Sequence, residues 1–220
     1  MKKYTIIFGA VCAVILAFSQ NAKADLFSFD LGIGNSAISG FPGPYASVEV
    51  NRTSASTATI TFTSLTNGGN IYLLGDGGTA AVNVSGAFTL GAISGSNAGT
   101  GFTPGPYSQG PAGNSDGFGS FNLQIDSFDG FTHSSDTVSF DLTGGNWASA
   151  AGVLTANNDG FIAAAHIFVT SSPADAANGA VATGFAANGG GHVPDAGATA
   201  VLLGLGLAGL AGIRARFGRN

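Results

Sequence analysis

Cysteine is almost missing from this sequence: there is one in 220 residues, Cys12, inside an apolar run near the N-terminus. Disulfide staples are therefore excluded, and whatever folds must do so by its core. Charge is equally sparse, with Asp, Glu, Lys and Arg making up 9% of the chain. Basic residues are scarcer still in the body, where Arg52 stands alone against the eleven acidic residues from Asp25 to Asp175, about −10 in all. Such a surface disfavours nucleic acid and anionic lipid headgroups. Metalloprotease H-E-x-x-H, redox C-x-x-C and the P-loop are all absent. Gly204, Gly206 and Gly209 do satisfy G-x-G-x-x-G, but they lie in an apolar tail with no βαβ context. We therefore expect a protein that is not an enzyme and needs no cofactor.

Both ends carry apolar runs. Lys2 and Lys3, then Ile6 to Phe18, then Ala22-Lys23-Ala24 have the order of a secretory signal peptide, with cleavage expected after Ala24. Export through the Sec translocon follows. Its 13-residue apolar stretch is short of the roughly 20 residues a bilayer span needs. At the other end Ala198 to Ile213 is uncharged and built from Ala, Val, Leu, Gly, Thr and Ile. It reads as a short transmembrane helix. Arg214, Arg216 and Arg219 follow at once as a cytoplasmic stop. The body would then face outward.

Ahead of that helix stand Val193, Pro194, Asp195, Gly197 and Thr199. This order of motif, apolar helix and terminal arginines resembles the PEP-CTERM class of bacterial sorting signals. It is closest to the VPDSG-CTERM variant, with Ala196 where serine is usual. The resemblance implies an exported substrate of exosortase, a membrane enzyme of Gram-negative envelopes. Such a protein is held briefly in the inner membrane by its tail and cut near the motif. It then reaches the cell surface, outer envelope or extracellular matrix, often beside exopolysaccharide in biofilm. A plain permanent anchor is the competing reading of the same tail.

The body alternates apolar and polar residues with period two. LFSFDL places Phe27, Phe29 and Leu31 on one face, SVEV does so with Val48 and Val50, and TATITFTSL with Ile60 and Phe62. AAVNV pairs Val82 with Val84; FNLQI aligns Phe121, Leu123 and Ile125; TVSFDL aligns Val138, Phe140 and Leu142. FIAAAHIFV, from Phe161 to Val169, reads as a fully buried strand in preference to a short helix, because Ile167, Phe168 and Val169 close it, with His166 a core histidine rather than a ligand. Gly- and Asn-rich turns separate these runs. The expectation is an all-β, antiparallel β-sandwich, jelly-roll-like, over residues 25–184. A signal peptide would occupy 1–24, a Gly-rich linker 185–192 and the sorting signal 193–220. FPGPY at 41 and TPGPY at 103 repeat Pro-Gly-Pro-Tyr, as two related loops or as matching turn chemistry.

Candidate chemistry is thin. In QIDSFDGFTHSSDTVSFD, Asp126, Asp129 and Asp136 offer hard oxygen ligands suited to Ca²⁺, or else form an ordinary solvated edge. His133 and Asp136 would make two-thirds of a triad only if geometry joined them to a serine. Three functions are carried forward: a structural or adhesive surface protein; a lectin-like module, calcium-assisted or not, with Trp147 or Tyr107 as an aromatic platform for exopolysaccharide; and a secreted hydrolase, which needs two convergent carboxylates.

Overall fold

The computed structural model describes residues 24–171 and 174–189. Fifteen strands follow in chain order: β1 Asp25–Leu31, β2 Ile33–Gly34, β3 Ala46–Ser54, β4 Thr57–Ser64, β5 Thr66–Asn67, β6 Asn70–Leu74, β7 Asp76–Val82, β8 Thr89–Ser96, β9 Ser108–Gly110, β10 Gly113–Ser115, β11 Gly119–Phe121, β12 Leu123–Ser127, β13 Thr137–Thr143, β14 Ala163–Ser171 and β15 Ala182–Ala187. The only helical elements among the described residues are single 3₁₀ turns at Phe131–His133 and Ala151–Val153. One sheet has the order β1-β3-β4-β13-β8; the other runs β2-β15-β14-β7-β12-β9, with β6 on β14 and β5 on β6. Every strand pair is antiparallel. The two sheets face each other across a single apolar core, a sandwich-like arrangement.

The five-stranded sheet forms because its strands alternate so regularly. Val48, Val50, Ile60, Phe62, Val138, Phe140 and Leu142 are buried in one cluster, and their neighbours in sequence point the other way. Phe62 and Phe140 sit stacked, with ring centroids 6.3 Å apart. The eight-stranded sheet obeys a different rule. Along β14, Ala163, Ala165, Ile167 and Val169 enter the main core, while Ala164 is buried on the opposite face beneath Phe118 and Phe121. The β10–β11 hairpin brings those two phenylalanines over the sheet, so this part of β14 is covered on both sides and its sequence cannot alternate.

Phe121 thus parts from Leu123 and Ile125, with which the sequence aligns it: it belongs to the outer cluster and they to the main core. Asn122 makes the break. Its side chain donates to Val84 O and accepts from Val84 N–H, both at 2.8 Å, imitating a strand neighbour where pairing stops.

The domain also ends later than expected. β15 runs on to Ala187, pairing Ala164 with Ala187 and Ala165 with Ala186. Asn188 is buried, its Oδ1 accepting from Ile162 N–H at 2.9 Å and Ala163 N–H at 3.1 Å. The expected linker from residue 185 is therefore corrected: the folded unit closes at Asn188. The small alanines that look like linker composition are what a doubly covered sheet has room for.

The two Pro-Gly-Pro-Tyr stretches share their geometry. Gly43-Pro44 and Gly105-Pro106 are both cis, and each leads through a tyrosine into a strand, β3 or β9. Tyr45 donates to the carbonyls of Ile38 and Phe41, and Tyr107 bonds Ser135 Oγ.

Candidate functional site

The outward face of the five-stranded sheet is a polar grid. Because register is unbroken there, Asp30, Ser47, Thr63, Thr137 and Ser96 line up across all five strands. The next row holds Ser28, Glu49, Thr61, Ser139 and Ser94. At the usual interstrand spacing each row extends about 19 Å. Hydrogen bonds tie the grid internally: Thr61 with Ser139 at 3.0 Å, and Thr59 donating to Asp141 at 2.7 Å. An open groove of about 590 Å³ crosses its β1–β4 side, lined by Ser28, Asp30, Ser47, Glu49, Thr61 and Thr63. The face has no cation. Arg52, the sole Lys or Arg among the described residues, instead donates Nε to Trp147 O at 2.9 Å. Sequence reading missed this groove; the outward members of TATITFTS and LFSFDL are its only signal.

The three aspartates considered for calcium go to different places. Asp126, on β12, is 4% exposed and accepts from Gly78 N–H at 2.7 Å. Asp136 accepts from Ser96 Oγ at 2.8 Å and Ala98 N–H at 2.9 Å, pinning the end of β8. Asp129 is exposed, 4.0 Å from His133 Nδ1. The cause lies in the topology: β12 is in the eight-stranded sheet and β13 in the five-stranded one, so the loop between them spans the sandwich and pulls its carboxylates apart. Among the described residues no group of three or more His, Cys, Asp or Glu is placed to hold a metal ion. The triad fragment does not assemble either, because His133 Nδ1 bonds Gly105 O at 2.6 Å while Asp136 serves Ser96 and Ala98.

Neither aromatic named as a sugar platform is free. Trp147 is 3% exposed and donates Nε1–H to Ser85 O at 2.8 Å, so that expectation is corrected. Tyr107 is half-buried, held by Ser135 and packed so closely on Gly95 that a Cβ there would collide with its hydroxyl. Burial and the neighbouring charge of Asp136 raise the Tyr107 pKa, burial being the larger cause, against a lowering by the Ser135 bond.

His166 lies on the outer side of β14, stacked on Phe185 with ring centroids 4.6 Å apart and on Phe168 at 5.6 Å. Its Nε2 bonds Thr183 Oγ1 at 2.7 Å. Opposite it the lane formed by β6 and β7 bulges at Gly75 to Gly78, with Asp76 at φ 64°. Desolvation lowers the His166 pKa, opposed by Asp76 and the Gly77 carbonyl. The expectation of a core histidine is therefore corrected: His166 is half-buried on the outer face, outside the main core, because its alternation along β14 points it away from Ala165 and Ile167.

Ala24 is exposed immediately ahead of β1. Ala22, the motif residues Val193, Pro194, Asp195, Gly197 and Thr199, the arginines Arg214, Arg216 and Arg219, and the apolar segment Ala198 to Ile213 lie outside the described residues. Among those described, no helix is long and apolar enough to cross a membrane. Comparison with known families decides what the tail is. Residues 192–217 match the VPDSG-CTERM motif. That motif is a sorting signal of the PEP-CTERM kind and marks an exported, membrane-transiting protein. At a coarse level it implies processing by an exosortase. No curated protein and no solved structure matches the chain.

Proposed function

We propose that this is a non-enzymatic surface or matrix protein: a jelly-roll-like sandwich exported through Sec, held in the inner membrane by its tail, cut by exosortase and left in the envelope or biofilm of a Gram-negative bacterium. The VPDSG-CTERM match at residues 192–217 carries this reading. The body supports it, since the residues that suggested chemistry are spent on structure: Asp126 on a bulge, Asp136 on a strand end, Trp147 on the Ser85 carbonyl. In this reading the tail is a substrate. Val193, Pro194, Asp195, Gly197 and Thr199 are what exosortase recognises, and Arg214, Arg216 and Arg219 hold the far end in the cytoplasm.

The intact mass of the protein recovered from its native host tests this. A species beginning at Asp25 and ending near Pro194, lost when the exosortase is deleted, is the expected result. A species that retains Arg214 to Asn220 would overturn it and leave a permanent anchor.

A second reading, carbohydrate binding, is favoured by the groove over Ser28, Asp30, Ser47, Glu49, Thr61 and Thr63. Hydroxyls and carboxylates in register suit the hydroxyls of an extended exopolysaccharide. Retention of the protein on its host's polysaccharide, lost in Glu49→Gln with Thr61→Val, is the outcome that would promote this reading above the first.

A further inference from the structure

Asparagine followed by glycine occurs three times in the chain, each time among the described residues: Asn67-Gly68, Asn178-Gly179 and Asn188-Gly189. The pair has a chemistry of its own. A glycine carries no side chain to shield its backbone nitrogen, so that nitrogen can reach the side-chain carbonyl carbon of the asparagine before it. The three steps are alike in sequence and differ in what the fold does with the asparagine.

Two of them are tied down. Asn67 closes the β5–β6 hairpin and donates Nδ2 to Gly43 O, in the first Pro-Gly-Pro-Tyr loop. Its side chain cannot swing toward Gly68 without giving up that bond. Asn188 is buried, and its Oδ1 is held by the amides of Ile162 and Ala163 where β14 begins. Turning its Cγ toward Gly189 would leave both amides without an acceptor.

Asn178 is held by nothing of the kind. It lies in the connection from β14 to β15, at the end of a turn that begins at Asp175. Asp175 closes that turn: its carbonyl accepts from Asn178 N–H at 3.1 Å, and its Oδ1 accepts from Ala177 N–H at 2.9 Å and Asn178 N–H at 3.1 Å. With the short aspartate side chain doing this work, the Asn178 side chain is exposed and makes no hydrogen bond among the described residues. Gly179, at φ 67°, is anchored through its carbonyl, which accepts from the buried Thr170 Oγ1 at 2.9 Å. That anchor leaves its nitrogen unengaged.

We propose that Asn178 is a deamidation site, the one Asn-Gly step of the three that reacts while the protein is folded. The Gly179 nitrogen gives its proton to base in the solvent and bonds to Asn178 Cγ. The Cγ–Nδ2 bond breaks, and Nδ2 takes a proton from water and leaves as ammonia. The five-membered imide then takes up water at one of its two carbonyls. Opening at Cγ gives aspartate; opening at the backbone carbonyl gives isoaspartate, with the chain rerouted through Cβ and Cγ. Either product sets a new negative charge near Asp175, on a body whose sole described Lys or Arg is Arg52. Isoaspartate also lengthens the β14–β15 connection by one backbone atom. The conversion needs only the folded unit and water, and is independent of how the tail is sorted.

The test follows the exported protein during incubation in mildly alkaline buffer. Samples are digested with pepsin at acid pH, which halts the reaction, and mapped by mass spectrometry with electron-transfer fragmentation to tell aspartate from isoaspartate. The expected result is the mass gain of amide-to-acid exchange at Asn178, with isoaspartate among the products, while Asn67 and Asn188 keep their amides. In denaturant all three should convert at similar rates, since the difference between them lies in the fold. Asn178→Gln, whose longer side chain must close a larger ring, should remove the gain from the β14–β15 connection. An Asn178 that keeps its amide in the folded protein, or Asn67 or Asn188 converting there as fast, would overturn the proposal.

Discussion

Replacing Asn188 with alanine should lower the melting temperature of the folded unit by roughly 5–15 °C. Its Oδ1 serves two amides, those of Ile162 and Ala163, just where β14 begins. Ala163 is wholly buried and Ile162 half-buried, so water can replace only part of what is lost. A buried donor left without an acceptor costs about 1–3 kcal/mol, which for one full and one partial loss comes to about 2–4 kcal/mol. A domain of this size loses about 2–4 °C for each kcal/mol. Thermal unfolding followed by near-ultraviolet circular dichroism measures the shift. Asn188→Asp keeps an acceptor for both amides and should recover at least half of it. If Asn188→Ala melts within about 1 °C of the parent, the residue is a linker after all and the folded unit closes earlier.

Three further outcomes follow from the same geometry. Trp147→Ala should cost about 3–5 kcal/mol in chemical denaturation, whereas an unchanged midpoint together with lost polysaccharide retention would mean the indole is a ligand platform. Millimolar calcium or a chelator should leave the melting temperature within about 1 °C, and a rise of several degrees on adding calcium would show a site that Asp126, Asp129 and Asp136 do not explain. Burial depresses the His166 pKa on folding, so the unfolded chain takes up the proton first. Its contribution to stability is complete above the ordinary histidine value of about 6.5 and is lost as pH falls through the lower folded-state value. His166→Gln should flatten that part of the stability profile, and an unaltered profile refutes the assignment.

The five-stranded sheet was legible residue by residue because one of its faces meets solvent. Phe27, Phe29, Val48, Val50, Ile60, Phe62, Val138, Phe140 and Leu142 all point as their alternation requires. The eight-stranded sheet was harder. FIAAAHIFV was readable as a strand, but β15 was not read as one, because Ala186 and Ala187 look like spacer when their partners Ala165 and Ala164 are not in view. Period two also misled at FNLQI, since alternation cannot reveal that a side chain such as Asn122 ends one strand and admits the next. The sorting signal was legible because it is a linear motif, needing no fold to be recognised. The aspartates were the opposite case: closeness in sequence suggested a cluster, and a loop crossing between sheets separated them. The groove stayed hidden because its serines and threonines come from three strands that only register brings together.

The solitary Arg52, with its side chain bound to Trp147 O, has a practical outcome in digestion. Trypsin-like proteases cut after lysine or arginine, and from Thr53 to Ile213 the sequence gives them no site. The one cleavable bond of the body lies in β3, an interior strand of its sheet. Proteases of this specificity, in a bacterial community or in a mass-spectrometry workflow, therefore meet a unit they cannot open while it is folded. Unfolded, it yields one peptide of ordinary length, ending at Arg52, and beyond it only a fragment too long to register as one. Surveys built on tryptic peptides would undercount it wherever it accumulates; chymotrypsin, with 14 phenylalanines available from Phe27 to Phe185, would find it.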